Sequence, residues 1–397
     1  MQGLHYREAR RIVLAKVGEL RNSLQVEAVD LAQASGRILA VDALADRDYP
    51  PLARSIRDGF AVRSQDLPGD LHVVGEVRAG EMPKQAVGPG QACEIMTGAP
   101  IPDGADAVVM VEHTERRQDT VHISRTQKPG DFINPAGSEA HHGGVVAAAG
   151  DVLTFPRIAM LATVGLTEVA VYRKPTAAIL STGDEVVDIA GHPAPYQVRN
   201  SNAWSVAAQV SRAGGDPLIL PVARDEYAHT RELIEQGLEH DLLLLSGGVS
   251  AGKYDIVERV LADLDAEFYF TRVLIQPGQP LVFGRARNRF FFGLPGNPAS
   301  TMVTFEVFAR AAVELLSGRR SASLPFTYAQ LAADFRHKPG LTRFLPARVE
   351  DDGGVVHHIP WQGSSDVPAL ARANAFLMAG ADQESWKAGE MIPILLI

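Results

Sequence analysis

The sequence predicts a multidomain protein of the α/β plus β class. It has a central doubly wound α/β domain in three layers, an inserted β module, an N-terminal helical and linker part, and a C-terminal β-barrel-like module. Three observations predict this. From residue 176, apolar runs alternate with helical patterns, as in a parallel sheet covered on both faces. Between 47 and 147, short β runs are broken by glycine and proline. After 325 the chain returns to strands, with FLPARVEDDGGVVHHIP reading as a hairpin and EMIPILLI as a last strand. The expected boundaries are 1–46 with 148–175 for the N-terminal part, 47–147 for the insertion, 176–324 for the α/β domain and 325–397 for the C-terminal module.

Each element has its own signal. Residues 5–20 repeat Tyr6, Ala9, Val13, Val17 and Leu20 on one helical face. HVVGEV, ADAVVMVEHT and TVHISR are the strands of the insertion. FPRIAMLATVG (155–165) is a helix with Pro156 at its start and Gly165 past its end. TAAILSTGDEV is a strand running into a glycine turn. NSNAWSVAAQVSRAGG is a helix capped by Asn200 or Ser201 and stopped at Gly214 or Gly215. PLILPV and DLLLLS are strands on either side of the helix YAHTRELIEQGLEH. Residues 255–264 read as a further helix, RNRFFFGLPG as a strand, and 298–317 as a long helix ended by Gly318.

Bulk composition excludes several functions. The net charge of −9 argues against a nucleic-acid partner, because a phosphate backbone selects a basic surface. No run approaches the ~18 apolar residues of a membrane span. The first residues, MQGLHYREARRIVLAKV, scatter charge where a signal peptide has an apolar core. Cys93 is the single cysteine and cannot form an internal disulfide, which points to a reducing, cytoplasmic setting.

The stretch SGGVSAGKYD contains G-x-x-x-x-G-K from Gly247 to Lys253, the pattern of a nucleotide phosphate loop. The next residue is Tyr254, too long to place an oxygen where serine or threonine ligates Mg²⁺, and no apolar strand ending in Asp supplies a second nucleotide motif. A nucleotide hydrolase is thus a remote alternative. Two other loops also follow apolar strands: STGDEV (181–186), with two carboxylates, and GLPGNPAS (293–300), whose Asn297 and Pro298 suit a helix start. Ligands of open α/β sheets collect at strand C-termini, so the three loops predict one crevice. Acidic residues beside anion-binding amides suggest Mg²⁺ bridging anionic groups through oxygen ligands.

Together these loops resemble the molybdopterin molybdenumtransferase family, the molybdate insertases related to the gephyrin E domain. ASGRILAVDALA, S-x-x-DGFAV (55–62), IMTGAPIPDGADAVVM (95–110), LATVG, STGDEV, RNSNA, SGGVSAGKYD, PGQP (277–280), GLPGNPAS and AGEMIPILLI follow the family's order over nearly the whole chain. The resemblance implies an elongated homodimer that takes adenylylated molybdopterin and molybdate, inserts the metal, and releases AMP with Mg²⁺ assistance. An adenylyltransferase partner enzyme, and molybdoenzyme apoproteins or their chaperones, are implied as further partners.

Carried over by position, Asp58, Thr97, Glu185, Asp225 and Asp255 become the catalytic set, with Glu185, Asp225 and Asp255 as Mg²⁺ or hydrogen-bonding carboxylates. Substrate contacts fall on Thr182, Gly183, Ser246, Gly247, Gly248, Ser250, Lys253, Gln276, Gln279, Pro295, Asn297, Pro298 and Ser364. Asp58 and Thr97, in the insertion, are expected to face a partner subunit's crevice. Each also has a plain structural reading: Asp58 as a turn former, Thr97 as a strand end, Glu185 and Asp225 as helix caps, Lys253 as a solvated side chain.

The chain departs from the family at the loop usually written Lys-Pro-Gly-Lys-Pro, which here is Gln276-Pro-Gly-Gln279-Pro. An Arg usual near Pro346 is absent, with Arg343 and Arg348 close by. Charged hydrogen bonds are worth about 1.5–3 kcal/mol each, so loss of two lysines would weaken anion binding unless replaced. Either Lys253 and Arg57 restore the charge, or the chain is a non-catalytic molybdopterin-binding or assembly paralogue.

Overall fold

Apolar residues at three- and four-residue spacing place one stripe of the first helix, α1 (Tyr6–Gly18), in the interior: Tyr6, Ala9, Val13 and Val17 are buried. Leu20 lies past the helix end. A computed structural model describes residues 3–247, 256–350 and 353–397. In it α1 joins the core of the central α/β layer, next to Phe305 and Phe308. Residues 148–175 instead share a separate cluster with Ala34, Leu39 and Ala43, around α2 (Phe155–Thr163). Strands Val26–Asp30 and Glu168–Tyr172 pair antiparallel and so join the two ends of the chain that flank the insertion.

The insertion is a six-stranded sheet. Two of its inner strands, Gly59–Val62 and Gln91–Ile95, pair antiparallel. Alternate side chains feed two cores, Phe60 and Val62 on one face and Ala61 on the other. Cys93 lies in the second, where burial raises its thiol pKa and keeps it protonated.

The central sheet contains β1 (Thr176–Ser181), β2 (Asp216–Ile219), β3 (Leu242–Ser246), β4 (Glu267–Arg272), β5 (Pro280–Ala286) and β6 (Arg289–Leu294). Their spatial order is β2-β1-β3-β6-β5-β4. The first four are parallel, and β5 runs against both neighbours. Arg287 and Asn288 both take positive φ in the two-residue turn joining β5 to β6, which matches the twist of the strands it joins.

Helices α3 (Ser201–Arg212), α4 (Tyr227–Gly237), α5 (Ile256–Asp263), α6 (Pro298–Thr304) and α7 (Arg310–Leu316) cover the sheet, with a π-helical segment, Phe305–Ala309, between the last two. Leu242 and Leu244 pack on the side of α3, α6 and α7, while Leu243 and Leu245 pack on the side of α4 and α5. That alternation is why an unbroken LLLL run sits between two helical layers.

The C-terminal strands Phe326–Leu331, Thr342–Val349, Val355–His358, Ala375–Ala379 and Met391–Leu396 close into a five-stranded barrel. A short strand from the central region, Ile275–Gln276, extends it by pairing with Thr342 and Arg343. No described helix is long and apolar enough to cross a membrane.

Candidate functional site at the strand ends

The parallel strands β1, β3 and β6 end side by side, and their registers continue into the turns. Thr182 N donates to Ser246 O at 3.1 Å, and Gly247 N donates to Leu294 O at 3.3 Å. A Cβ on Gly247 would lie 2.9 Å from Thr182 O, so this close approach requires glycine, as does its φ of +92°. A Cβ on Gly296 would lie 3.6 Å from the Gly247 Cα. The turns around 183, 247 and 296 therefore converge on one crevice at the C-terminal edge of the sheet.

A residue absent from the sequence-based assignment fastens the last two. Asn202 Nδ2 donates to Ser246 Oγ at 2.9 Å and to Gly296 O at 2.7 Å. Its Oδ1 is buried with no partner among the described residues. Asn200, two residues earlier, caps α3 and accepts a hydrogen bond from Ser181 Oγ at 2.8 Å. The R-N-S-N-A stretch signals a helix start, but only the fold shows that its second asparagine spans two loops.

The helix start after β6 is formed as expected in outline. Asn297 is the N-cap of α6 and Pro298 its first residue, yet the Asn297 side chain makes no capping hydrogen bond. Pro295 O instead accepts from Thr301 Oγ1. Ser364 O accepts from Ala299 N at 2.9 Å and docks the C-terminal module on this helix start. The PGQP turn reaches the same helix, where a Cβ on Gly278 would collide with Thr304. Gln279 accepts a hydrogen bond from Val273 N at 3.0 Å through its backbone O, and the Gln276 side chain is exposed.

Acidic groups line the rim. Gly183 N donates to Ala223 O at 3.1 Å, and Asp225 N to Asp184 Oδ1 at 3.2 Å, so the STGDE turn and the turn holding Asp225 are adjacent. Asp184, Glu185 and Asp225 are all exposed. Asp225 does not cap α4, whose N-cap is Glu226. Among the described residues no group of three or more His, Cys, Asp or Glu could hold a metal ion. One or two carboxylates on an oxygen-lined rim still fit Mg²⁺, which completes its shell with water and phosphate oxygens rather than an all-protein cage. Gly248, Ser250, Lys253 and Asp255 lie outside the described residues.

Asp58 and Thr97 meet each other in the inserted module. Asp58 Oδ1 accepts from Thr97 N at 2.6 Å and from Thr97 Oγ1 at 2.8 Å. The backbone bond first, then the hydroxyl bond, holds this exposed carboxyl below the ordinary Asp range. Among the described residues, no hydrogen bond or ion pair joins residues 47–147 to the crevice turns.

Comparison with known proteins agrees with this architecture. Residues 4–165 match the family described as MoeA N-terminal region (domain I and II), 178–315 the probable molybdopterin binding domain, and 328–397 the MoeA C-terminal region (domain IV). The molybdopterin molybdenumtransferase of Staphylococcus epidermidis is 33% identical over 93% of this chain and 90% of its own. The one from Nostoc is 36% identical over 84% of this chain and 79% of its own. A crystal structure of the molybdopterin biosynthesis moeA protein from Pyrococcus horikoshii is 27% identical, covers 100% of both chains and superposes with a TM-score of 0.82. The chain belongs to the molybdopterin molybdenumtransferase family.

Proposed function

We propose that this protein is a molybdopterin molybdenumtransferase of molybdenum cofactor biosynthesis, which inserts molybdate into adenylylated molybdopterin and releases AMP. The observation that carries the proposal is the convergence of Thr182–Gly183, Ser246–Gly247 and Gly296 at adjacent strand ends, the last two tied together by Asn202. Backbone N–H groups on such turns, with the start of α6 behind them, favour a phosphorylated ligand. Glu185 and Asp225 would hold Mg²⁺, which offsets phosphate charge as AMP leaves. The protein's own groups do the positioning: the turns fix the pterin phosphate, and Ser364 and the PGQP turn border the side where the oxyanion enters.

The same reading makes the protein a homodimer in which Asp58 and Thr97 of one protomer complete the crevice of the other. Their mutual bonding, without a bond to the crevice of their own chain, supports this arrangement. A second reading, pterin binding or assembly without turnover, is favoured by the neutral amides of Gln276 and Gln279.

Purified protein supplied with adenylylated molybdopterin and Mg²⁺ should release AMP only when molybdate is added, followed by nucleotide chromatography. Tight pterin binding with no molybdate-dependent AMP would reject the enzyme and leave the second reading. Restoring lysine at 276 and 279 should then create turnover.

A further inference from the structure

The start of α3, with Asn202, belongs to the crevice, and its far end does not. Twelve residues at roughly 1.5 Å each separate the two ends by about 18 Å. The C-terminal ends of α3 and α7 meet the N-terminal part of the chain around a cavity of about 300 Å³. That size is at the lower end of the range for small-molecule sites. One wall is the turn around Gly36 with Val152, Tyr172 and Lys174, and the other is Ser211 to Gly214 with Ser317 and Arg319.

Four cations line this cavity, Arg37, Lys174, Arg212 and Arg319, and among the described residues no carboxylate does. The chain as a whole carries −9, so the concentration is local. Other cavities mix the signs. The one beside Asp241 also has Glu239, Arg173 and Arg289, and the one along α4 sets Glu232, Glu235 and Glu239 against Arg231 and Arg287.

Acids outside the cavity answer only part of its charge. Arg37 bonds Glu27 and Tyr172 O, and Lys174 lies 3.9 Å from Asp216. The other two belong to a larger group: Arg10, Arg212, Arg310 and Arg319 gather around two carboxylates, Glu306 and Glu314. Two positive charges are left over among the described residues. The ends of α3 and α7 offset about one of them, at roughly half a charge per helix end. Their last carbonyls are already taken by the chain itself, as Gly215 N donates to Val210 O at 3.0 Å and Arg319 N to Glu314 O at 3.1 Å. Arg212 reaches Glu306 through Nη2, and Arg319 stands 3.8 Å from Glu314, so most of their N–H donors remain available.

We propose that this cavity is a second ligand site, remote from the crevice, which binds a small phosphate monoester. Guanidinium forks match phosphoryl oxygens, and the hydroxyls of Ser35, Ser211 and Ser317 add donors along the same lining. Ile38 and Ala213, both buried, give the lining an apolar side for the carbon skeleton of the ester. The ligand bridges the N-terminal part and the α/β layer, so it raises the melting temperature of the chain. The inference uses no group of the crevice and stands apart from the reaction proposed above.

Calorimetric titration of the full chain compares glycerol 3-phosphate, inorganic phosphate and, as a neutral control, glycerol, in buffers free of other oxyanions. The ester should bind and glycerol should not. Free phosphate binding as tightly as the ester would keep the site and assign it to the bare ion. Arg319→Gln should weaken binding about tenfold, the effect of one charged hydrogen bond. Ser211→Glu sets a carboxylate in the cavity, removes no ion pair and should weaken binding at least as much, so it carries the test if Arg319→Gln fails to fold. Asn202→Ala, at the crevice end of α3, should leave this binding unchanged. If the crevice takes a second ion, the cavity variants lose one of two bound per chain. Two results overturn the inference: a wild type that binds neither ester nor phosphate at millimolar concentration, or a folded Ser211→Glu that binds both as the wild type does. In the second case, loss of binding in Asn202→Ala would assign the anion to the crevice.

Discussion

At the scale of single residues, Asn202 has the most to lose. Its amide donates to both Ser246 Oγ and Gly296 O, so truncation to alanine removes two bonds, one to the buried Ser246 and one to the exposed Gly296 carbonyl. Net losses of about 1 kcal/mol per bond translate to about 1–2 kcal/mol of stability, read from urea unfolding. The larger effect should be on binding, because two of the three converging turns lose their common fastener. Asn202→Ala should weaken affinity for adenylylated molybdopterin about tenfold, measured by calorimetry. Unchanged affinity would mean that the turns hold their spacing through the backbone bonds from Thr182 and Gly247 alone. Asn202 escaped notice in the sequence because it gains its role from a neighbour far along the chain, Gly296, and no local pattern encodes that pairing. The glycine turns were legible because a strand followed by glycine is a local signal.

At the scale of elements, two interior devices answer to different measurements. Glu306 sits in the π-helical segment, 1% exposed, and accepts from Gln209 Nε2 at 2.7 Å, Arg212 Nη2 at 2.6 Å and Arg310 Nη1 at 3.4 Å. Arg10 of α1 donates to Val307 O of the same segment, and its burial lowers its pKa to about 10. Glu306→Ala strips the shared counter-charge from Arg310 and should cost about 3–5 kcal/mol in urea unfolding. A loss under about 1 kcal/mol would show that the surrounding carbonyls suffice for these arginines. In the barrel, His358 packs 5.3 Å from the Phe335 ring with its Nε2 buried and unpartnered, and burial lowers its pKa below 6.5. The folded state then binds fewer protons than the unfolded chain once pH drops below about 6.5. Stability is full above that value and falls as pH descends through the lower folded pKa. His358→Gln cannot charge, so its melting temperature should fall less than the wild type's between about pH 7.5 and 5.5. Parallel curves for the two proteins would refute this role. Helix α1 and the barrel hairpin were readable from spacing and turn residues. The docking of α1 on the central layer and the closure of the barrel were not, because an apolar stripe says that an element packs without saying on what. Nothing in Phe305–Ala309 marks a π-helical segment, since its apolar residues fit an ordinary helix as well.

At the scale of the whole molecule, the alternation of apolar strands and helices from 176 onward made the three-layer centre legible, and local glycine and proline breaks did the same for the inserted sheet. What a single chain cannot encode locally is how a site divides between protomers. Asp58 and Thr97 are bound to each other in the insertion, while Glu185 and Asp225 rim the crevice of the α/β layer. If the proposed two-fold homodimer places the first pair over the partner's crevice, the two groups can be lost from different chains without destroying every site. Asp58→Ala and Glu185→Ala should each abolish AMP release as pure proteins. Co-expressed at equal levels, they should form hybrid dimers in half of the assemblies, each with one intact crevice, and recover about a quarter of wild-type turnover. If Asp58 served the crevice of its own chain, every site in every hybrid would carry a lesion and no activity would return. Chromatography with light scattering on the same samples establishes whether dimers are present, so a monomer would reject the shared site before any turnover is measured.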